Sequence, residues 1–368
     1  MKKILLTLLV IVSFASCSKN QDGFTLNGTL SGDIENGTKV FLKVINEQNQ
    51  PVDIDTTTVE NGVFVFNVKA EIPELHYIFI DKTQGNIPLI VEKGAVDLIA
   101  HKDSLNSASI KGAPQNDFFY KFLGDYRELG LRSQSINNDM RTASASQDEA
   151  TMNALRDEYK ELQDEAKNYE LDFIKNNPES LISAITLFDK LRSKTLPQDE
   201  VKEIFDGFTQ EIKNSKPGKK ISTSLENGKS TAIGAKAPNF SAPTPTGETL
   251  ALNDVLGKVT IIDFWAAWCR PCRAENPNVV NVYNKYHEKG LNIIGVSLDR
   301  KAEDWKKAIT DDGLTWNHVS NVKYFDEIAQ LYNINAIPAT FILDENGIII
   351  AKNVRGPALE QKIAELLP

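Results

Sequence analysis

The sequence predicts an α/β domain at its C-terminal end, a central mixed sheet flanked by helices, preceded by an antiparallel β-sandwich and a helical region. Three observations carry this reading. From Ile233 onward strand-like and helix-like segments alternate, and the runs Val259 to Ala266 and Leu291 to Leu298 are nearly continuous in apolar residues, as in strands buried on both faces of a sheet. Between Phe24 and Lys111, short β-rich runs are separated by turn residues. Between Asp117 and Lys216 the apolar period changes to that of a helix.

The N-terminus comes first in chain order. Met1-Lys2-Lys3 is a short basic start, and Ile4 to Phe14 is an apolar run too short to span a bilayer, which takes roughly 20 residues. It runs into Phe14-Ala15-Ser16-Cys17, small residues directly before a cysteine, followed by polar Ser18 to Asp22. This resembles a bacterial lipobox, so residues 1–16 are expected to be a lipoprotein signal peptide. Cys17 is then the lipidation site and residues 17–23 a tether that holds the chain to a membrane.

The β-sandwich is expected over 24–115. Its strands begin at Phe24 to Gly28, Lys39 to Val44 and Val63 to Val68, the last entered through an Asn61-Gly62 turn signal. His76 to Ile80, Ile87 to Val91 and Val96 to Ala100 continue it. The helical region spans 116–216. There Met152, Leu155, Tyr159, Leu162, Ala166, Tyr169 and Phe173 recur at steps of three and four, which puts one apolar stripe along a helix. Leu181 to Leu191 resumes after Asn177-Pro178, and a further helix is expected from about Gln198 to Asn214. Residues 217–232 are rich in Ser, Thr, Asn, Lys and Gly and read as a linker. The α/β domain takes 233–368. After Cys269 it should hold a helix to about Glu288, then the Leu291 strand and helices at Glu303 to Asp311 and Asp326 to Tyr332. A hairpin of Thr340 to Leu343 with Ile348 to Ala351 follows, and a helix from Leu359 to Leu367 closes the chain.

The chain has 368 residues and a formal net charge of −9, enough length for two or three domains at roughly 100–200 residues each. No basic cluster is dense enough to suggest a nucleic-acid partner. There are three cysteines, one being Cys17 and the other two lying in a single Cys-x-x-Cys. An exported chain that spends no cysteine on a structural bridge is using that pair chemically.

In Trp268-Cys269-Arg270-Pro271-Cys272 a buried strand meets the start of a helix. Cys269 therefore lies where helix N–H groups favour an anion. Such sites lower a thiol pKa from about 8.5 to roughly 3.5–7.5. Cys272, one turn on, is close enough to form a disulfide, so Cys269 is the expected attacking thiolate and Cys272 the resolving thiol. Arg270 adds a positive charge, and Pro271 suits a first helical turn. The competing reading is half a zinc site, but zinc wants four ligands and no second Cys-x-x-Cys exists. No metal or other cofactor is expected beyond the redox-active pair.

Trp265-Ala266-Ala267-Trp268-Cys269-Arg270-Pro271-Cys272 resembles the thioredoxin superfamily, and the surrounding sequence resembles its TlpA/ResA-like thiol–disulfide oxidoreductases. Ala237-Pro238-Asn239-Phe240 and Asn253 to Lys258 resemble that branch's N-terminal hairpin, and Gly295 to Asp299 its insertion. Ala336-Ile337-Pro338-Ala339-Thr340 resembles the cis-proline loop. The β-region resembles, more weakly, a small domain found before thioredoxin domains in Bacteroidetes lipoproteins. The resemblance implies a thioredoxin-like C-terminal domain and assigns roles. Asp263, six residues before Cys269, takes the place of thioredoxin's buried acid, and Glu275 that of the Glu three residues past the second Cys, which TlpA/ResA-like proteins often use instead; the resemblance leaves open which of the two relays a proton to or from Cys272. Pro338 is the cis-proline, and Trp268, Arg270, Pro271 and Ile337 make the surface on which a substrate docks.

The implied function is reduction of disulfides in envelope proteins on the periplasmic side, cytochrome c maturation included, with a membrane electron donor restoring the dithiol. The chain has no dinucleotide fingerprint of its own. A reading of another class makes the front domains an envelope partner-binding module and the thioredoxin domain an accessory.

Overall fold

The computed structural model describes residues 23–46 and 50–368; the proposed signal peptide and Cys17 lie outside the described residues. These fall into two compact units. One takes the described residues up to Ser183 together with Thr209–Ser215, and the other takes Ala184–Phe208 and Lys216–Pro368.

The first unit opens with strands β1 (Gly23–Ser31), β2 (Lys39–Ile45), β3 (Pro51–Thr58), β4 (Val63–Lys69), β5 (Glu74–Ile80), β6 (Ile87–Val91), β7 (Gly94–His101) and β8 (Ser109–Lys111). They form two four-stranded sheets, ordered β4-β1-β7-β8 and β3-β2-β5-β6. Every pair is antiparallel except β1 with β7, which runs parallel. Alternate residues of both sheets meet in one core, with Leu26, Phe66 and Leu98 from one and Leu42, Ile78 and Leu89 from the other. That is the sandwich the two-residue period requires. Asn61 and Gly62 both hold positive φ, as a tight hairpin turn into β4 demands.

Helices α1 (Pro114–Ala145) and α2 (Glu149–Asn176) follow. The start of α1 is tied to the sheet by a buried polar knot. Glu92 Oε1 accepts from the N–H groups of Gln115 (2.7 Å) and Asn116 (3.3 Å), and the Asn116 amide bridges both backbone groups of Ile90. Every residue of the α2 stripe from Met152 to Phe173 is at least partly covered, and Phe122 of α1 packs against Tyr169 and Phe173.

Helices α3 (Leu181–Ser193), α4 (Gln198–Asp206), α5 (Gln210–Asn214) and α6 (Lys216–Ser230) correct the sequence reading in three ways. The helix expected over Gln198 to Asn214 breaks at Gly207–Thr209, where the Thr209 hydroxyl caps α5. The 116–216 region is divided between the two units. The segment 217–232 is not a linker, because α6 fills nearly all of it. Its polar composition hides a narrow stripe of Ile221 and Leu225, four residues apart and both buried, with Gly218 and Gly228 allowing close approach.

The second unit continues with the short hairpin β9 (Ser241–Pro243) and β10 (Thr249–Ala251). Next come β11 (Val259–Trp265), α7 (Arg270–Tyr286), β12 (Leu291–Ser297), α8 (Ala302–Asp311) and β13 (Asn317–Val319). Then α9 (Glu327–Leu331), β14 (Ala339–Asp344), β15 (Ile349–Lys352) and α10 (Pro357–Leu366) complete it. The sheet order is β13-β12-β11-β14-β15. β11 is parallel to β12 and antiparallel to β14, so the sheet is mixed and β11 is central. This is the thioredoxin-like architecture. All seven residues of β11 are buried. Val259, Ile261 and Trp265 pack on the α7 side, while Ile262 and Phe264 pack on the other. Strand alternation therefore aims Asp263 to the same side as Trp265 and the cysteines.

Candidate active site

Strand β11 ends at Trp265, and the chain turns through Ala266–Trp268 into α7. Cys269 is the N-cap of that helix, its Sγ accepting from the Cys272 N–H at 3.2 Å. Cys269 and Cys272 are joined in a disulfide with Cα atoms 5.3 Å apart. Both are buried, whereas Trp268 is 51% exposed. The Cys269 sulfur thus sits under an exposed rim, at the N-terminal end of a helix dipole, where a thiolate is favoured.

Behind Cys272 lies a small cavity of about 10 Å³, lined among others by Asp263, Glu275, Pro338, Thr340 and Arg355. One water molecule needs roughly 10–15 Å³, so the space suits a single proton carrier between carboxylate and thiol. The Asp263 carboxylate takes no hydrogen bond from the protein among the described residues. Burial pushes its pKa up to about 7, with Arg355 pulling it down and Glu275 pushing it up. Its charge state therefore changes near neutrality.

Glu275 lines the cavity but is tied elsewhere. Its Oε1 accepts from the Gly356 N–H (2.8 Å) and from Asn278 Nδ2 (2.8 Å), fixing the start of α10 against α7. The Ile337–Pro338 bond is cis, and the Pro338 carbonyl accepts from the Arg355 guanidinium. Of the residues singled out from sequence, Cys272, Asp263, Glu275 and Pro338 line one cavity, with Cys269 bonded to it through Cys272. Trp268, Arg270 and Pro271 lie exposed around the disulfide, and Ile337 is partly buried beside Pro338. Among the described residues no group of three or more His, Cys, Asp or Glu is placed to hold a metal ion.

Comparison with known proteins gives this site a context. A family model described as the AhpC/TSA family matches residues 233–352. One described as a domain of unknown function, DUF4369, matches residues 24–119. The thiol-disulfide oxidoreductase ResA of Bacillus thuringiensis subsp. konkukian is 30% identical over 135 residues, covering 37% of this chain and 76% of that protein. The chain belongs to the ResA-like thiol–disulfide oxidoreductases. The thioredoxin-like protein YneN of Bacillus subtilis is 37% identical over 119 residues, 32% of this chain and 68% of that protein. Among solved structures, the thioredoxin domain of a thiol-disulfide oxidoreductase from Bacteroides vulgatus is 37% identical. It covers 37% of this chain and 99% of that one, with a TM-score of 0.35.

In this ResA-like chain, three supports of the site receive no role from the sequence alone. Asp299, buried, accepts from the Ala267 N–H (3.0 and 3.1 Å) and from the Ser297 hydroxyl (2.8 Å), pinning the loop that leads to Cys269. Arg273 of α7 forms a two-pronged pair with Asp312, which also accepts from Asn276. Tyr324, 49% exposed, meets the Trp268 ring at 5.4 Å and lies under the Arg300 guanidinium at 4.4 Å. Its loop carries positive φ at Val322 and Phe325, conformations that cost non-glycine residues roughly 1–3 kcal/mol. Apart from Ser297 and Asp299, these partners lie 24 to 56 positions apart, and only the tertiary fold brings them together.

Proposed function

We propose that this ResA-like oxidoreductase works outside the cytoplasm as a lipid-anchored disulfide reductase of envelope proteins. The observation that carries the mechanism is the arrangement of the Cys269–Cys272 disulfide, which caps α7 while Cys272 shares a water-sized cavity with Asp263.

In the reduced protein the Cys269 thiolate attacks one sulfur of a substrate disulfide, and the other substrate sulfur leaves as a thiolate. The Cys272 thiol passes its proton through the cavity to the Asp263 carboxylate. With burial pushing its pKa up to about 7, that acid can take the proton near neutral pH and return it in the reverse direction. The Cys272 thiolate then attacks Cys269 Sγ, releasing the second substrate thiolate and forming the disulfide seen here. Two electrons pass from the pair to the substrate. Glu275 is the positioning partner that ties α7 to α10 and keeps Asp263 protonated to higher pH. Trp268, Arg270, Pro271 and Ile337, joined by Tyr324, form the docking rim.

The compartment rests on the N-terminal sequence, the basic start, short apolar run and small residues before Cys17. No helix among the described residues is long and apolar enough to cross a membrane, and the anchor proposed is the acylated Cys17. Substrates under this reading are disulfides of envelope proteins, apocytochromes c included, and a membrane electron donor restores the dithiol. Equilibration of the Cys269–Cys272 pair with glutathione or dithiothreitol buffers tests the direction. A potential near the thioredoxin value, about −270 mV, supports a reductant; one near −120 mV makes the protein an oxidant. Cys17→Ala tests the anchor, since release from the membrane fraction is expected and unchanged acylation rejects it.

A further inference from the structure

The second unit carries another pocket, open to solvent and of about 550 Å³, within the roughly 300–1,000 Å³ range of small-molecule sites. None of the residues around the disulfide lines it. Its wall is built by the end of α3 and the turn into α4, by α6, by the loop before Pro338, and by β15. Three lining side chains are cationic, Arg192, Lys194 and Lys352, and none is acidic.

The cations are not accounted for by internal pairing. Arg192 has an exposed contact with Asp189 at 3.4 Å. Neither Lys194 nor Lys352 has an ion-pair partner among the described residues. Lys352 is half-buried, donates to the Thr231 carbonyl at 2.9 Å and lies over the Phe341 ring. Burial and then the Lys194 charge hold its pKa below the ordinary lysine value. Cations in the last turn of α3 suit that helix's negative end, which covers Arg192 but not Lys352 on another element. A half-buried ammonium whose partners are a carbonyl and a ring, with a second cation near it, still lacks a counter-charge, and an anion seated between the two cations supplies it.

The wall is also pre-formed. Asn333 Nδ2 donates to the Ser224 carbonyl at 2.6 Å and Asn335 Nδ2 to the Arg192 carbonyl at 3.3 Å. Lys194 itself holds φ of 57° at the end of α3, where glycine is the usual residue. The lining also includes apolar Leu191, Leu196 and Pro197.

We propose that this cavity binds a small organic anion with at least two negative charges. Its acidic groups are held by Arg192, Lys194 and Lys352, and its carbon skeleton rests on Leu191, Leu196 and Pro197. Carboxylates and phosphate esters share this chemistry. Titration calorimetry of the full chain with citrate, and separately with fructose 1,6-bisphosphate, tests it. Saturable one-to-one binding of at least one probe is expected. It should weaken at least tenfold in the Lys194→Gln/Lys352→Gln double variant, persist in Lys352→Arg, and be unaffected by Cys269→Ser. Citrate alone binding assigns a carboxylate ligand, and the bisphosphate alone assigns a phosphate ester. Absence of saturable binding for both probes overturns the proposal, as does binding that survives the double substitution. Should the double variant not fold by near-ultraviolet circular dichroism, Lys194→Gln alone decides, because Lys194 is exposed and a loss of threefold or more is expected.

Discussion

Asp263 and Cys272 line the same cavity from two elements, the carboxylate from the central strand β11 and the sulfur from the first turn of α7. Strand alternation places the acid on the α7 side, and the helix start places the thiol over it. The proton relay we propose rests on that placement.

Asp263→Asn removes the relay. Release of substrate from the mixed disulfide should slow by about 10²-fold or more, while the initial attack by Cys269 is little changed. Stopped-flow kinetics that follow the two steps separately distinguish them. The same substitution should stabilise the protein at high pH. An acid whose pKa is raised from near 4 to about 7 favours the folded state when protonated and loses that contribution as pH rises from about 4 to 7. At pH 8 the asparagine variant should therefore gain up to about 4 kcal/mol, with little difference at pH 4, read from urea denaturation at both pH values.

Two neighbours tune that acid in opposite directions. Glu275→Gln should move the Asp263 titration to lower pH, because Glu275 raises it, and Arg355→Met should move it to higher pH, because Arg355 lowers it. Carboxyl-carbon NMR of labelled aspartate reads both shifts. Movement in the same direction would remove Arg355 and Glu275 as the electrostatic pair around Asp263.

Asp299→Ala leaves the Ala267 N–H and the Ser297 hydroxyl without their buried acceptor. Orphaned buried donors cost about 1–3 kcal/mol. The urea midpoint should fall accordingly, and exchange of the Ala267 amide proton should quicken if Asp299 pins the loop.

Ile221→Ala should cost about 2–5 kcal/mol, the range for truncating a buried isoleucine, since Ile221 is fully buried in α6. A flexible linker would tolerate the change within about 0.5 kcal/mol.

The residues that bear the chemistry were legible because their signals are local. Cys269 and Cys272 lie one helical turn apart, and Asp263 is an acid inside an apolar strand. Pro338 stands at the mouth of a strand. The long apolar runs of β11 and β12 likewise announce themselves, since strands buried on both faces admit no polar alternation. What was hidden depends on distant partners or on few residues. Arg355 and Asp299 gain meaning only when folding carries them to Asp263 and Ala267. β13 is three residues long, and β3 is an edge strand whose Asp53 and Asp55, together with exposed Val52 and Ile54, break any inside–outside pattern. α6 reads as a linker in the sequence because a stripe of two buried side chains is too thin to register against so many Ser, Lys and Gly.

The division of labour between the two cysteines is settled by trapping. Reduced Cys272→Ser and Cys269→Ser variants, each mixed with a disulfide-bonded peptide, are examined by mass spectrometry for a mixed disulfide. Accumulation of the adduct on Cys269 in the Cys272→Ser protein, with none in Cys269→Ser, is the expected result. An adduct that forms on Cys272 and not on Cys269 would contradict the assignment of attacking and resolving thiols.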